Sequence, residues 1–113
     1  MHARLFAETV TGVFSTDEAP VYYVVQFKAG KCCITDKGDG ILAQTAEFDD
    51  QKLPEQQWAL IGDASGFYMK SMTGNYLLWN AADSRFATSS TDKTSLYLVE
   101  SSVEGYYEIG RVG

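Results

Sequence analysis

The chain is poor in the residues that build metal, redox and catalytic centres, with one histidine and two cysteines among 113 residues. His2 lies at the terminus with no second histidine to join, so neither a metal site nor a catalytic imidazole is expected. Cys32 and Cys33 are adjacent, and in a strand neighbouring side chains point to opposite faces, so a bond between them would be strained. Metal sites need several separated ligands, and the pair therefore reads as two small strand residues of which one is buried. It says little about redox compartment. Basic residues are also few, nine against fifteen acidic ones for a net charge of −6, and they are dispersed, which leaves nothing to attract phosphates and argues against nucleic acid. No apolar run approaches the roughly 18 residues of a membrane span. Residues 1–20 lack a basic start followed by an apolar core, so a signal peptide is not present in this chain. Sustained helical spacing with caps is missing, and so is a Gly-rich phosphate loop.

What the chain does have is a segment that recurs. Tyr23 to Gly30, Phe67 to Gly74 and Tyr106 to Gly113 each place an aromatic residue seven positions before a glycine, with mostly apolar residues between in the first two. After the first two glycines come Lys31-Cys32-Cys33-Ile34 and Asn75-Tyr76-Leu77-Leu78, apolar runs suited to a second strand. Further on, Gln56-Gln57-Trp58-Ala59-Leu60-Ile61 matches Ser95-Leu96-Tyr97-Leu98-Val99, so both units close on an aromatic within an apolar run. Repetition at a period of roughly 40 residues marks units that cannot bury their apolar faces alone. The third copy stops at its own glycine, which predicts a third unit cut short.

Apolar residues make up 45% of the chain, enough for a packed core, and β-branched and aromatic residues recur in short runs. An all-β fold follows. Strands are predicted over residues 4–13, 22–27, 32–35, 40–44, 58–61, 67–71, 76–79, 85–88, 96–100 and 106–111. Glycine-rich turns separate them at the 8 to 12 residue spacing of a barrel or sandwich. Residues 48–57, polar and containing Pro54, read as a loop with one helical turn. Residues 1–20 match neither repeat and read as an N-terminal strand or linker, with the repeated domain over 21–113.

The Gln56-Gln57-Trp58 run contains a Gln-x-Trp, and with the repeats it makes residues 21–113 resemble the ricin B-type β-trefoil lectins. In that family each of three repeats closes on such a motif, and the fold is a six-stranded barrel capped by three hairpins. The resemblance implies a β-trefoil-like fold with two full repeats and the start of a third. The second repeat departs from the motif at Ser95 and Tyr97, and the third never reaches it. An indole buries a large apolar area, so Trp58 is expected in the core rather than as a sugar platform, and Tyr97 likewise.

A pyranose needs carboxylate or amide partners for its hydroxyls and an aromatic ring for its C–H face. In ricin-type repeats an aspartate just after the first hairpin turn serves the hydroxyls. Asp36 falls about one residue late for that role, with Asp39 close behind; the corresponding place in the second repeat offers Trp79 and Asn80, with Asp83 nearby. The plain alternative for each is a solvated turn residue.

The resemblance implies a noncatalytic carbohydrate-binding module, accessory to a secreted bacterial glycan-processing protein and itself secreted or periplasmic. Its expected partner is a glycan, and no cofactor or metal is expected. The alternative is a structural or protein-interaction trefoil that binds no sugar. Fifteen acidic residues make carboxylate pairs for glycoside hydrolysis easy to find, but none sits in a recognisable motif, so no enzyme is expected. Two repeats and a fragment would leave strand edges unpaired. That predicts self-association, docking to an adjacent domain of a larger parent, or a distorted barrel closed by the strand over residues 4–13.

Overall fold

A computed structural model describes residues 2–5, 13–27, 32–40, 44–47, 53–100 and 107–112. The chain is all-β, as its short β-branched and aromatic runs predict. In chain order the strands are β1 (His2–Leu5), β2 (Phe14–Ser15), β3 (Tyr22–Tyr23), β4 (Val25–Phe27), β5 (Cys32–Thr35) and β6 (Gln44–Glu47). A 3₁₀ turn at Pro54–Gln56 precedes β7 (Trp58–Asp63), β8 (Gly66–Ser71), β9 (Tyr76–Asn80), β10 (Arg85–Ser89), β11 (Leu96–Glu100) and β12 (Tyr107–Arg111). The run predicted over 22–27 is interrupted at Val24, and of the strand expected over 40–44 Gln44 is in β6 while Gly40 lies in a turn at φ 78°. Residues 41–43 and 106 lie outside the described residues.

Pairing gives the repeats a structural meaning. In the first unit β4 pairs with β5, β5 with β6, and β7 returns to pair with β3. In the second unit β8 pairs with β9, β9 with β10, and β11 returns to pair with β8. The units are joined by the antiparallel pairs of β7 with β8 and of β11 with β12. β1 pairs antiparallel with both β12 and β4. The circuit from β3 and β4 through β7, β8, β11, β12 and β1 closes on itself. The closing strand is described over His2–Leu5, which includes the start of the predicted 4–13; residues 6–12 lie outside the described residues.

Strand alternation then sets the core. Tyr23, Phe67 and Tyr107 pack against the core from β3, β8 and β12, followed two residues later by Val25, Met69 and Ile109, which are buried and pack together. Ile34 and Leu77 match on the second strands, and Trp58 with Leu60 matches Leu96 with Leu98 on the fourth. Each such burial contributes roughly 1.5 to 3 kcal/mol. Trp58 is 0% exposed and its Nε1–H donates to the Ile34 carbonyl at 2.9 Å, so the one polar atom of the indole is satisfied inside the core. The segment before Val21 is joined to this core. β2 lies parallel to β7, Val13 is buried, and the Phe14 ring meets Phe67 edge-on at 5.3 Å.

Candidate functional site

The sequence-predicted residues fall into groups at opposite ends of the β9–β10 hairpin. Asp36, which follows β5, is only 5% exposed and is not a solvated turn residue. Its Oδ1 accepts from the Gly38 N–H at 2.9 Å and the Asn75 side-chain amide at 3.1 Å, and its Oδ2 accepts from the Ser71 and Thr73 hydroxyls. Burial alone would raise the carboxyl pKa, but these hydrogen bonds from Ser71, Thr73, Gly38 and Asn75 hold it below its ordinary value. The carboxylate clamps the loop after β5 to the turn between β8 and β9. Asp39 is exposed, yet its Oδ1 accepts from the Ser90 N–H. Beside it the Gly40 N–H donates to the Thr88 carbonyl at 2.8 Å, and the Thr88 hydroxyl donates to the Gly38 carbonyl. This loop thus covers one end of the β10 edge, where open backbone groups would otherwise invite another strand.

Trp79, Asn80 and Asp83 come together at the other end of that hairpin. The Asn80 amide is engaged within the turn: Oδ1 accepts from the Ala82 and Asp83 N–H groups, and Nδ2 donates to Asp83 Oδ2 at 3.1 Å. Trp79 is half-buried, meets Phe86 edge-on at 5.1 Å, and carries the Arg111 guanidinium over its ring at 4.1 Å. At roughly 3.3 Å per strand residue, Arg85 to Ser89 puts Asp83 more than about 13 Å from the Asp39 contact. The two groups do not form one site.

The Arg111 stack leads to a feature that sequence reasoning missed. An open groove of about 550 Å³ is lined by Ala64, Ser65, Tyr97, Val99, Arg111 and Val112, with Leu98 at its base. One wall is the turn between β7 and β8, where Asp63 Oδ1 accepts from the Ser65 hydroxyl at 2.7 Å and from the Ser65 and Gly66 N–H groups. Those bonds, the Ser65 hydroxyl foremost, lower the Asp63 pKa. The Ala64 carbonyl accepts from the Leu98 N–H at 2.9 Å, tying this turn to β11. The other wall is β12, where the Tyr97 ring rests on Gly110 so closely that a Cβ there would overlap it. A glycine within a strand is the sequence signal for such an approach.

Tyr97 is therefore half-exposed in the groove and not a core residue, which corrects the expectation drawn from matching it to Trp58. Pairing explains the difference. Tyr23 pairs with Trp58, and its counterpart Phe67 pairs with Leu96, so Leu96 is the structural equivalent of Trp58. A displacement of one residue moves a side chain to the other face of the sheet. Gln56 is buried, as expected of a motif glutamine. Cys33 is buried and Cys32 partly so; burial pushes the Cys33 thiol pKa up and suits it to packing.

A second aromatic surface lies on β8 and β9. Tyr68 and Tyr76 meet at 5.6 Å, Lys93 lies 4.4 Å and 4.9 Å from their ring centres, and Lys70 pairs with Asp17 at 3.3 Å. These contacts use the rings and Lys70 internally. No protein-family model matches the chain, and neither a curated protein nor a solved structure matches it significantly.

Proposed function

We propose that the protein is a noncatalytic carbohydrate-binding module of β-trefoil-like organisation, accessory to a secreted bacterial glycan-processing protein. The unit-by-unit pairing and the closed strand circuit support the trefoil-like part of this reading. The ligand part rests on one observation, the open groove in which the half-exposed Tyr97 ring lies with Ser65, Val99 and Val112. An aromatic ring suits the C–H face of a pyranose. In this reading Tyr97 meets the ligand, Trp79 lies outside the groove lining, and Asn80, Asp83, Asp36 and Asp39 shape the turns and do not reach for ligand. A glycan array followed by calorimetric titration tests it: wild-type protein binds at least one glycan, and Tyr97→Ala reduces that affinity at least tenfold. Failure of the wild-type chain to bind any glycan would sink the reading.

The alternative, a protein-interaction module, is favoured by a different observation. The aspartate in the lectin-like position is engaged internally, and Val99 and Val112 stand 47% and 49% exposed on the groove. It predicts no glycan affinity, together with a gain in thermal stability when the neighbouring domain of the parent protein is present.

A further inference from the structure

We infer that Tyr68 and Tyr76 form a binding corner for a quaternary ammonium group of the choline class, a corner that Lys93 occupies in the free protein. None of these three residues lines the Tyr97 groove, so this site stands apart from the carbohydrate reading. Register builds the corner. Lys70 on β8 is the pairing partner of Tyr76 on β9, which puts both on one face of the sheet, and strand alternation puts Tyr68 on that face as well. The two tyrosine rings meet at 5.6 Å with their planes 66° apart. Lys93 marks the space they share, since its Nζ lies 4.4 Å from the Tyr68 ring centre and 4.9 Å from that of Tyr76. Both distances are within the reach of a cation attracted by a ring face. The next residue fixes this placement: the Thr94 N–H donates to the Leu77 carbonyl at 3.2 Å, and its hydroxyl accepts from the Trp79 N–H at 2.7 Å. The loop that carries Lys93 is thereby held on β9.

Lys93 is a poor match for the place it holds. A primary ammonium is strongly hydrated and has three N–H donors to satisfy, yet Lys93 is exposed and no carboxylate among the described residues pairs with it. A quaternary ammonium has no N–H donors, so it gives up less on leaving water and gains the same two ring faces. The flexible stem of an exposed lysine can swing aside to admit it. Surrounding charge also favours a cation. Lys70 lies 5.4 Å from the Tyr76 ring centre, but its pairing with Asp17 at 3.3 Å offsets its charge. Asp17 and Glu18 both act on the Tyr68 phenol, whose pKa is raised first by burial and then by the Asp17 charge. The chain as a whole carries −6, which draws cations towards it.

Amide chemical-shift titration of the full chain with choline chloride, and with ethanolamine as its primary-ammonium counterpart, tests the inference. Choline should give saturable shifts at Tyr68, Tyr76 and Lys93 and bind at least about fivefold more tightly than ethanolamine. Tyr76→Leu, which keeps apolar bulk without the ring, should weaken choline binding roughly five to thirtyfold, whereas Tyr76→Phe should retain most of it. Lys93→Ala should raise choline affinity roughly two to fivefold by emptying the corner. Tyr97→Ala should leave choline binding unchanged. Circular dichroism should show each variant folded, and Tyr68→Leu, with the same expected loss, serves if Tyr76→Leu unfolds. Phosphatidylcholine vesicles separate two sources of the group: co-sedimentation assigns a lipid headgroup, and choline binding without it assigns the free compound. Equal affinity for choline and ethanolamine, affinity that survives both leucine variants, or no saturable shifts with choline overturns the inference. A loss of affinity in Lys93→Ala overturns it too, because Lys93 would then belong to the binding surface instead of competing for it.

Discussion

Asp36 joins segments far apart in sequence, since its acceptor oxygens hold Gly38 locally and Ser71, Thr73 and Asn75 from the next unit. Replacing it with alanine strands buried donors as well as removing the bonds. Asp36→Ala should therefore cost about 3 kcal/mol, read from the midpoint of urea unfolding. Because the folded carboxyl has a lowered pKa, its contribution is present above the unfolded value of about 4 and is lost as pH falls through the folded value. Asp36→Asn should accordingly flatten the loss of stability below about pH 4; an unchanged acid profile would contradict this role. Gly110 offers a second residue-level test. Its missing Cβ makes room for Tyr97, so Gly110→Ala should displace that ring and weaken ligand binding several-fold, with chemical shifts of Tyr97 moving before any ligand is added. The core role of Trp58 was legible because indole burial is a property of the residue. The engagement of Asp36 was not, because its partners lie 35 to 39 positions away.

At the scale of elements, sequence matching found the units but aligned their closing strands one residue out. Apolar runs tolerate such an error, since Leu96-Tyr97-Leu98 can be laid against Trp58-Ala59-Leu60 in either register by composition. Backbone pairing decides between them, and it places Leu96 and Leu98 inside at 0% and 2% exposure. Leu96→Ala should cost about 2 to 5 kcal/mol as a cavity-forming core change, whereas Tyr97→Ala should cost no more than about 1.5 kcal/mol. The reverse order in denaturant unfolding would restore the original match. Near the end of the chain Tyr107 packs against the core as Phe67 does, and Tyr106 lies outside the described residues.

At the scale of the whole molecule, closure depends on β1, which carries pairing partners on both sides. No local pattern revealed this, because one of its partners, β12, lies at the other end of the sequence. Ala3 pairs with both Phe27 and Tyr107, and a proline there removes a backbone donor from an interior strand. Ala3→Pro should open the circuit, giving a lower Tm and concentration-dependent sedimentation as the β4 and β12 edges find new partners. A variant as stable and as monomeric as wild type would show that β1 is dispensable. The closed circuit brings the β11–β12 hairpin against the β7–β8 turn, and the groove exists only because these distant segments meet.

The most direct test of the proposed function is an amide chemical-shift titration of the isotopically labelled chain with neutral and acidic hexasaccharides. The account predicts saturable shifts concentrated at Ala64, Ser65, Tyr97, Val99, Arg111 and Val112 around the groove. Shifts centred instead on Tyr68, Tyr76 and Lys93, or no shifts with any saccharide, would contradict it.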